Sequence, residues 1–87
     1  MPEEKLLVYG VNWCGDCRRV QKFLQQNNIP YDYINIDHDK IAEQFVIKTN
    51  RGMRSVPTIV FPDGTTLTEP STNQLTQKLQ VLEFPKI

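Results

Sequence analysis

Two cysteines, Cys14 and Cys17, are the only thiols among the 87 residues, and two residues separate them. A pair at this spacing can close into a disulfide and reopen, exchanging electrons with another disulfide. The attacking form of a cysteine sulfur is the thiolate, and a free cysteine at neutral pH is mostly thiol. The pair therefore needs a place that favours negative charge, and the start of a helix is one. In such a place Cys14 is the candidate nucleophile, forming a mixed disulfide that either Cys17 or an external small thiol resolves. The plainer reading is a packed cysteine pair without redox work. As a structural staple the pair is poor, because the loop it closes is tiny and removes little unfolded-state entropy. Two cysteines and His38, the one histidine, fall short of the four ligands of an ordinary structural zinc site.

The elements that must position the pair are legible around it. Residues 5–10, with the apolar run Leu6-Leu7-Val8-Tyr9, read as a central strand buried on both faces and ended by Gly10 and Asn12. A helix then begins near Cys14. Cys17, Val20, Phe23 and Leu24 fall on one side of it. Asn27-Asn28 offers a left-handed ending and Pro30 a stop. Strand, Cys-x-x-Cys, helix is the context in which the pair reads as a redox motif.

Tyr31 to Ile36 reads as a second strand, and Asp37-His38-Asp39 as the cap of a second helix with the apolar stripe Ile41, Ala42, Phe45 and Val46. Val56-Pro57 opens a third strand, Thr58 to Phe61. Pro62-Asp63-Gly64 is a turn, and a short fourth strand around Thr66-Leu67-Thr68 completes an antiparallel hairpin. Ser71 with Gln74 fits a capping box for a last helix that buries Leu75, Leu79 and Leu82. The tail from Glu83 to Ile87 is expected to fray. The order β-α-β-α-β-β-α, with a right-handed parallel first crossover, predicts an α/β fold: a four-stranded mixed sheet with three helices, of thioredoxin-like type.

Length bounds this to one domain, residues 1–87, with a modest core. Ten basic and ten acidic residues cancel, so bulk charge points to neither nucleic acid nor an anionic membrane as partner. The charged start Met1-Pro2-Glu3-Glu4-Lys5 and the brief apolar run after it fit neither a signal peptide nor a membrane span, which predicts a cytoplasmic protein. A reducing compartment would make a disulfide here transient and catalytic.

The chain resembles the glutaredoxin family over nearly its whole length. The resemblance rests on Cys14-Gly15-Asp16-Cys17 heading the first helix, on Ser55-Val56-Pro57-Thr58, and on the Asp63-Gly64 turn. Trp13-Cys14-Gly15, Arg18-Arg19, Arg54-Ser55-Val56-Pro57-Thr58 and the run Asp63 to Ser71 are similar to the mycoredoxin-like subgroup. Three features depart from glutathione-dependent members: Gly15-Asp16 replaces Pro-Tyr, Val11 stands where a lysine is common, and Asp63-Gly64-Thr65-Thr66 replaces a Gly-Gly-x-Asp turn. Each weakens the case for glutathione and leaves the dithiol chemistry intact.

The resemblance implies a thiol–disulfide oxidoreductase with Cys14 and Cys17 catalytic and no tightly bound cofactor. A low-molecular-weight thiol, mycothiol or glutathione, or a thioredoxin-reductase-type flavoenzyme supplies electrons. The substrates are protein disulfides or mixed disulfides with small thiols, and the protein acts as a monomer. Val56-Pro57 is implied to be cis and to lie beside the active cysteine, with the Val56 backbone open to a bound peptide or thiol. The same resemblance leaves a second reading, an iron–sulfur cluster carrier bridging two subunits with external thiols.

Other residues complete the expected site. Trp13 beside the nucleophile is either a docking surface or core. Arg54, with Arg18, Arg19, Lys48 and Arg51, can bind carboxylates of a thiol or an acidic partner, or form scattered solvated charge. Thr66 and Thr68 occupy the place of the glutathione-gripping turn. Asp16 opposes negative charge on Cys14 if its carboxylate approaches, and Arg18 and Arg19 offset it. His38 is expected at the surface or in a cap.

Overall fold

A computed structural model describes residues 4–84. The elements are β1 (Leu6–Gly10), α1 (Gly15–Gln26), β2 (Tyr31–Asn35), α2 (Lys40–Thr49), β3 (Thr58–Val60), β4 (Thr66–Thr68) and α3 (Thr72–Val81). The sheet order is β2-β1-β3-β4. β1 pairs parallel to β2 and antiparallel to β3, and β3 pairs antiparallel to β4. This is the expected order and the expected mixed sheet, with β1 inside it. The tail beyond Phe84 lies outside the described residues.

Capping chemistry sets the helix starts as the sequence predicts. The Asp39 side chain accepts the Ala42 N–H at the head of α2, at 3.0 Å. Ser71 and Gln74 make both halves of the capping box of α3. Asn28 ends α1 in the left-handed region at φ 56°, and Gly64 turns the hairpin at φ 87°.

The core has two parts, one on each face of the sheet. Leu6 and Val8 of β1 and Ile59 of β3 pack with Val20 and Leu24 of α1, Leu75 and Leu79 of α3, Ile29 and Phe61. The other face carries a smaller cluster, Val11, Ile36, Ala42 and Val46. Two helices cover one face and α2 alone covers the other. Burial along β1 therefore alternates, with Leu7 and Tyr9 only half-buried, instead of being complete on both sides as expected.

The same asymmetry corrects the stripe of α2. Ala42 and Val46, four residues apart, face the sheet. Ile41 is 83% exposed, and Phe45 is at the margin with its ring centroid 4.9 Å from that of Tyr9. Gly10 ends β1, as expected, and is buried. One smaller correction follows. Leu82 caps α3 half-buried. No helix among the described residues is long and apolar enough to cross a membrane.

Candidate active site

The end of β1 delivers the chain to the cysteines. Cys14 is itself the N-cap of α1, with extended backbone at φ −103°, ψ 120°. In the usual cap a side-chain oxygen accepts an N–H from the first turn; here the Cys14 sulfur does so, with the Cys17 N–H donating to Sγ at 3.2 Å. Cys14 is half-buried and Cys17 fully buried, and both are free thiols. The two side chains interact directly. The half-buried sulfur thus meets a helix N-terminus and one aimed amide, which its buried partner does not. Asp16 stays on the solvent side, 3.7 Å from Arg19 Nε.

Cys17 has the opposite environment. Burial pushes its thiol up to about 11, and the Cys14 thiol pushes the same way. The Val11 backbone and the neighbouring Tyr33 phenol pull it back. The phenol donates to the Val11 carbonyl at 2.8 Å. In the sequence Gly10 reads as a strand end and Tyr33 as a strand residue, and neither as a part of the site. The usable signal is a glycine ending an otherwise bulky buried strand.

Trp13 is 71% exposed, which excludes the core reading. Its indole Nε1 donates to Asp37 Oδ2 at 2.9 Å. Arg54 reaches the same carboxylate, donating from Nη2 to Oδ1 at 2.5 Å, and donates from Nε to Glu43 Oε2 at 2.6 Å. Arg54, then Trp13, holds the Asp37 carboxyl below the usual carboxylate range. The expected carboxylate binder is thus already paired within the chain. Asp37 joins the rim of the site to α2, contacts beyond the helix cap that the sequence predicts.

The Val56–Pro57 bond is cis. Val56 packs against the same small cluster as Cys14, which brings the two segments to one region. Pro57 is buried, and its carbonyl accepts the Glu69 N–H at 2.8 Å. Among the described residues the Val56 N–H and C=O have no backbone partner. Thr66 is exposed at the head of β4. Thr68 is half-buried and turned inward, donating to Asn50 Oδ1 at 2.6 Å. Arg18 reaches the Asn12 carbonyl, and Arg19 the Pro70 carbonyl and Thr72 hydroxyl. Lys48, Arg51 and His38 are exposed. Among the described residues no three or more His, Cys, Asp or Glu side chains are grouped to hold a metal ion.

Comparison with known proteins agrees with this geometry. The glutaredoxin family model matches residues 6–65. A Mycobacterium tuberculosis protein provisionally named a glutaredoxin is 45% identical over 74 residues, covering 85% of this chain and 88% of its own. Mycoredoxin 1 of Corynebacterium glutamicum is 36% identical over 75 residues, covering 86% and 92%. Among solved structures, the thioredoxin-like protein BC3987 superposes with a TM-score of 0.73 at 29% identity, over 84% of this chain and 97% of that one. A sulfur-capped helix holding one half-buried and one buried thiol, in a thioredoxin-like fold matched by these relatives, identifies the chain as a member of the glutaredoxin family of thiol–disulfide oxidoreductases.

Proposed function

We propose that the protein reduces protein disulfides, or mixed disulfides with small thiols, by a two-cysteine exchange. Cys14 attacks one substrate sulfur, and the substrate's other sulfur leaves. Cys17 then attacks Cys14 Sγ, releasing the reduced substrate and leaving a Cys14–Cys17 disulfide. A low-molecular-weight thiol, mycothiol or glutathione, returns the pair to dithiol; a thioredoxin-reductase-type flavoenzyme is the alternative source.

The observation that carries this reading is the unequal placement of the two sulfurs. Cys14 is accessible and accepts the Cys17 amide at 3.2 Å, while Cys17 lies buried behind it. An attacking thiol needs access and a resolver needs only the first sulfur. In the same reading Trp13 offers a flat apolar surface to the incoming disulfide. The unpaired Val56 backbone beside Pro57 takes the substrate chain as an added strand would. Arg54, Thr66 and Thr68 line the approach; Arg54 acts through its hold on Asp37, and the inward Thr68 hydroxyl supports the segment from behind.

Replacing Cys14 with serine removes the nucleophile and is expected to abolish disulfide reduction; retained turnover in that variant sinks the assignment. Supplying mycothiol, glutathione and a flavin reductase in turn to the purified protein, with one disulfide substrate, identifies the electron source by which of them sustains turnover.

A further inference from the structure

Resolution by Cys17 meets a physical obstacle. This sulfur has no exposed surface, and it must carry negative charge when it attacks. A buried anion is costly unless hydrogen bonds replace the lost water. Cys14 Sγ cannot be the donor, because in the mixed disulfide it bears no proton. One side chain from another element reaches the sulfur. Tyr33 stands on β2 in register with Val8 of β1, so both side chains take the same face of the sheet.

Gly10, two residues further along that face, leaves the phenol room. A Cβ on Gly10 would lie 2.3 Å from Tyr33 Oη and 2.9 Å from Cys17 Sγ, so both atoms converge on the space that a side chain would fill. We propose that Tyr33 is the hydrogen-bond donor that stabilises the Cys17 thiolate during resolution. Its hydroxyl turns from the Val11 carbonyl to the sulfur as that sulfur loses its proton.

The step balances as follows. The Cys17 proton passes to water, and the thiolate attacks Cys14 Sγ. The Cys14–Cys17 bond forms as the bond from Cys14 to the substrate sulfur breaks. The departing thiolate takes a proton from water; the dithiol is oxidised and the substrate reduced. Tyr33 keeps its proton throughout. Burial, then Cys17, moves the phenol above its ordinary range, with smaller contributions from Cys14 and Tyr31, so it serves as donor and not as base. The titratable groups acting on Cys17 are Cys14 and Tyr33.

The inference rests on Cys17 being the resolver, and one experiment separates the two. Reduced protein is mixed with one equivalent of the aromatic disulfide dithio-bis-nitrobenzoate. The first coloured thiolate released reports attack by Cys14 and the second reports resolution. Tyr33→Phe is expected to keep the first phase, with a cooperative thermal melt as its folding control. The second phase should slow by roughly 10- to 100-fold, the worth of one hydrogen bond to a buried anion, with its pH midpoint moved upward. Gly10→Ala, whose Cβ crowds both the phenol and the Cys17 sulfur, should slow the same phase. A second phase unchanged in rate and midpoint in Tyr33→Phe, yet lost in Cys17→Ser, overturns the role of Tyr33 alone. A second phase that survives Cys17→Ser overturns the resolver, and the role of Tyr33 with it.

Discussion

At the scale of single residues, the chemistry of Cys14 and Cys17 is written in their spacing, but their partners are not. Trp13 and Asp37 meet across 24 positions, and Tyr33 and Val11 across 22. No local pattern announces such contacts; they exist because β1 and β2 lie parallel and bring their ends to one edge. Asp37 is the clearest case, since as a sequence feature it is one of two acids beside a helix start. Its carboxylate instead anchors both the Trp13 indole and the Arg54 guanidinium. Asp37→Ala is expected to leave thermal stability nearly unchanged, because the pair is exposed to solvent screening. The same variant should raise KM for a protein disulfide several-fold with kcat nearly unchanged, because the indole loses its fixed orientation. Steady-state kinetics on a protein substrate check this, and an unchanged KM means that docking does not use the anchored ring.

At the scale of elements, periodicity and punctuation placed every strand and helix in order, because the signals are local. The capping box at Ser71 and the glycine turn at Gly64 are decided within four residues. Which part of an apolar stripe faces the sheet is a tertiary matter. Ile41 carries as much apolar character as Val46, yet Ala42 and Val46 take the contact and Ile41 is left outside. Asn50 is a second case. At the C-terminal end of α2 its amide donates to the Val46 carbonyl at 2.9 Å and to the Thr58 hydroxyl at 3.0 Å, and it accepts from Thr68. One side chain therefore ties α2 to both strands of the hairpin, next to the Val56–Pro57 segment. Asn50→Ala should cost about 1–3 kcal/mol, as the loss of buried hydrogen bonds does. In a chain of this size that lowers Tm by roughly 5–15 °C. A thermal melt within one or two degrees of the parent would show that the three contacts are redundant.

At the scale of the whole molecule, stability should depend on pH at both ends. The Asp63 carboxyl is lowered to about 2 from 3.8, first by the Thr65 hydroxyl and amide and then by Lys78 of α3. Its folded value lies below its unfolded one, so the stability it contributes is present above pH 3.8 and is lost as pH falls toward 2. Asp63→Asn should flatten that acid limb in melts taken across the window. Cys17 is raised from 9.0 to about 11, so its contribution is present below pH 9 and is lost as pH rises toward 11. Tyr9 and Tyr33, raised mainly by burial, extend the loss to higher pH. The oxidised protein, whose Cys17 carries no proton, should lack the first part of that alkaline limb. Equal alkaline slopes in the two redox forms would show that the buried thiol does not set it. The exposed Trp13 has one more consequence. It is the chain's single tryptophan, so all of the protein's indole emission originates beside Cys14. The molecule carries its own optical gauge of that spot: a partner seated over Cys14 dries the ring and moves its emission to shorter wavelength, with no label attached.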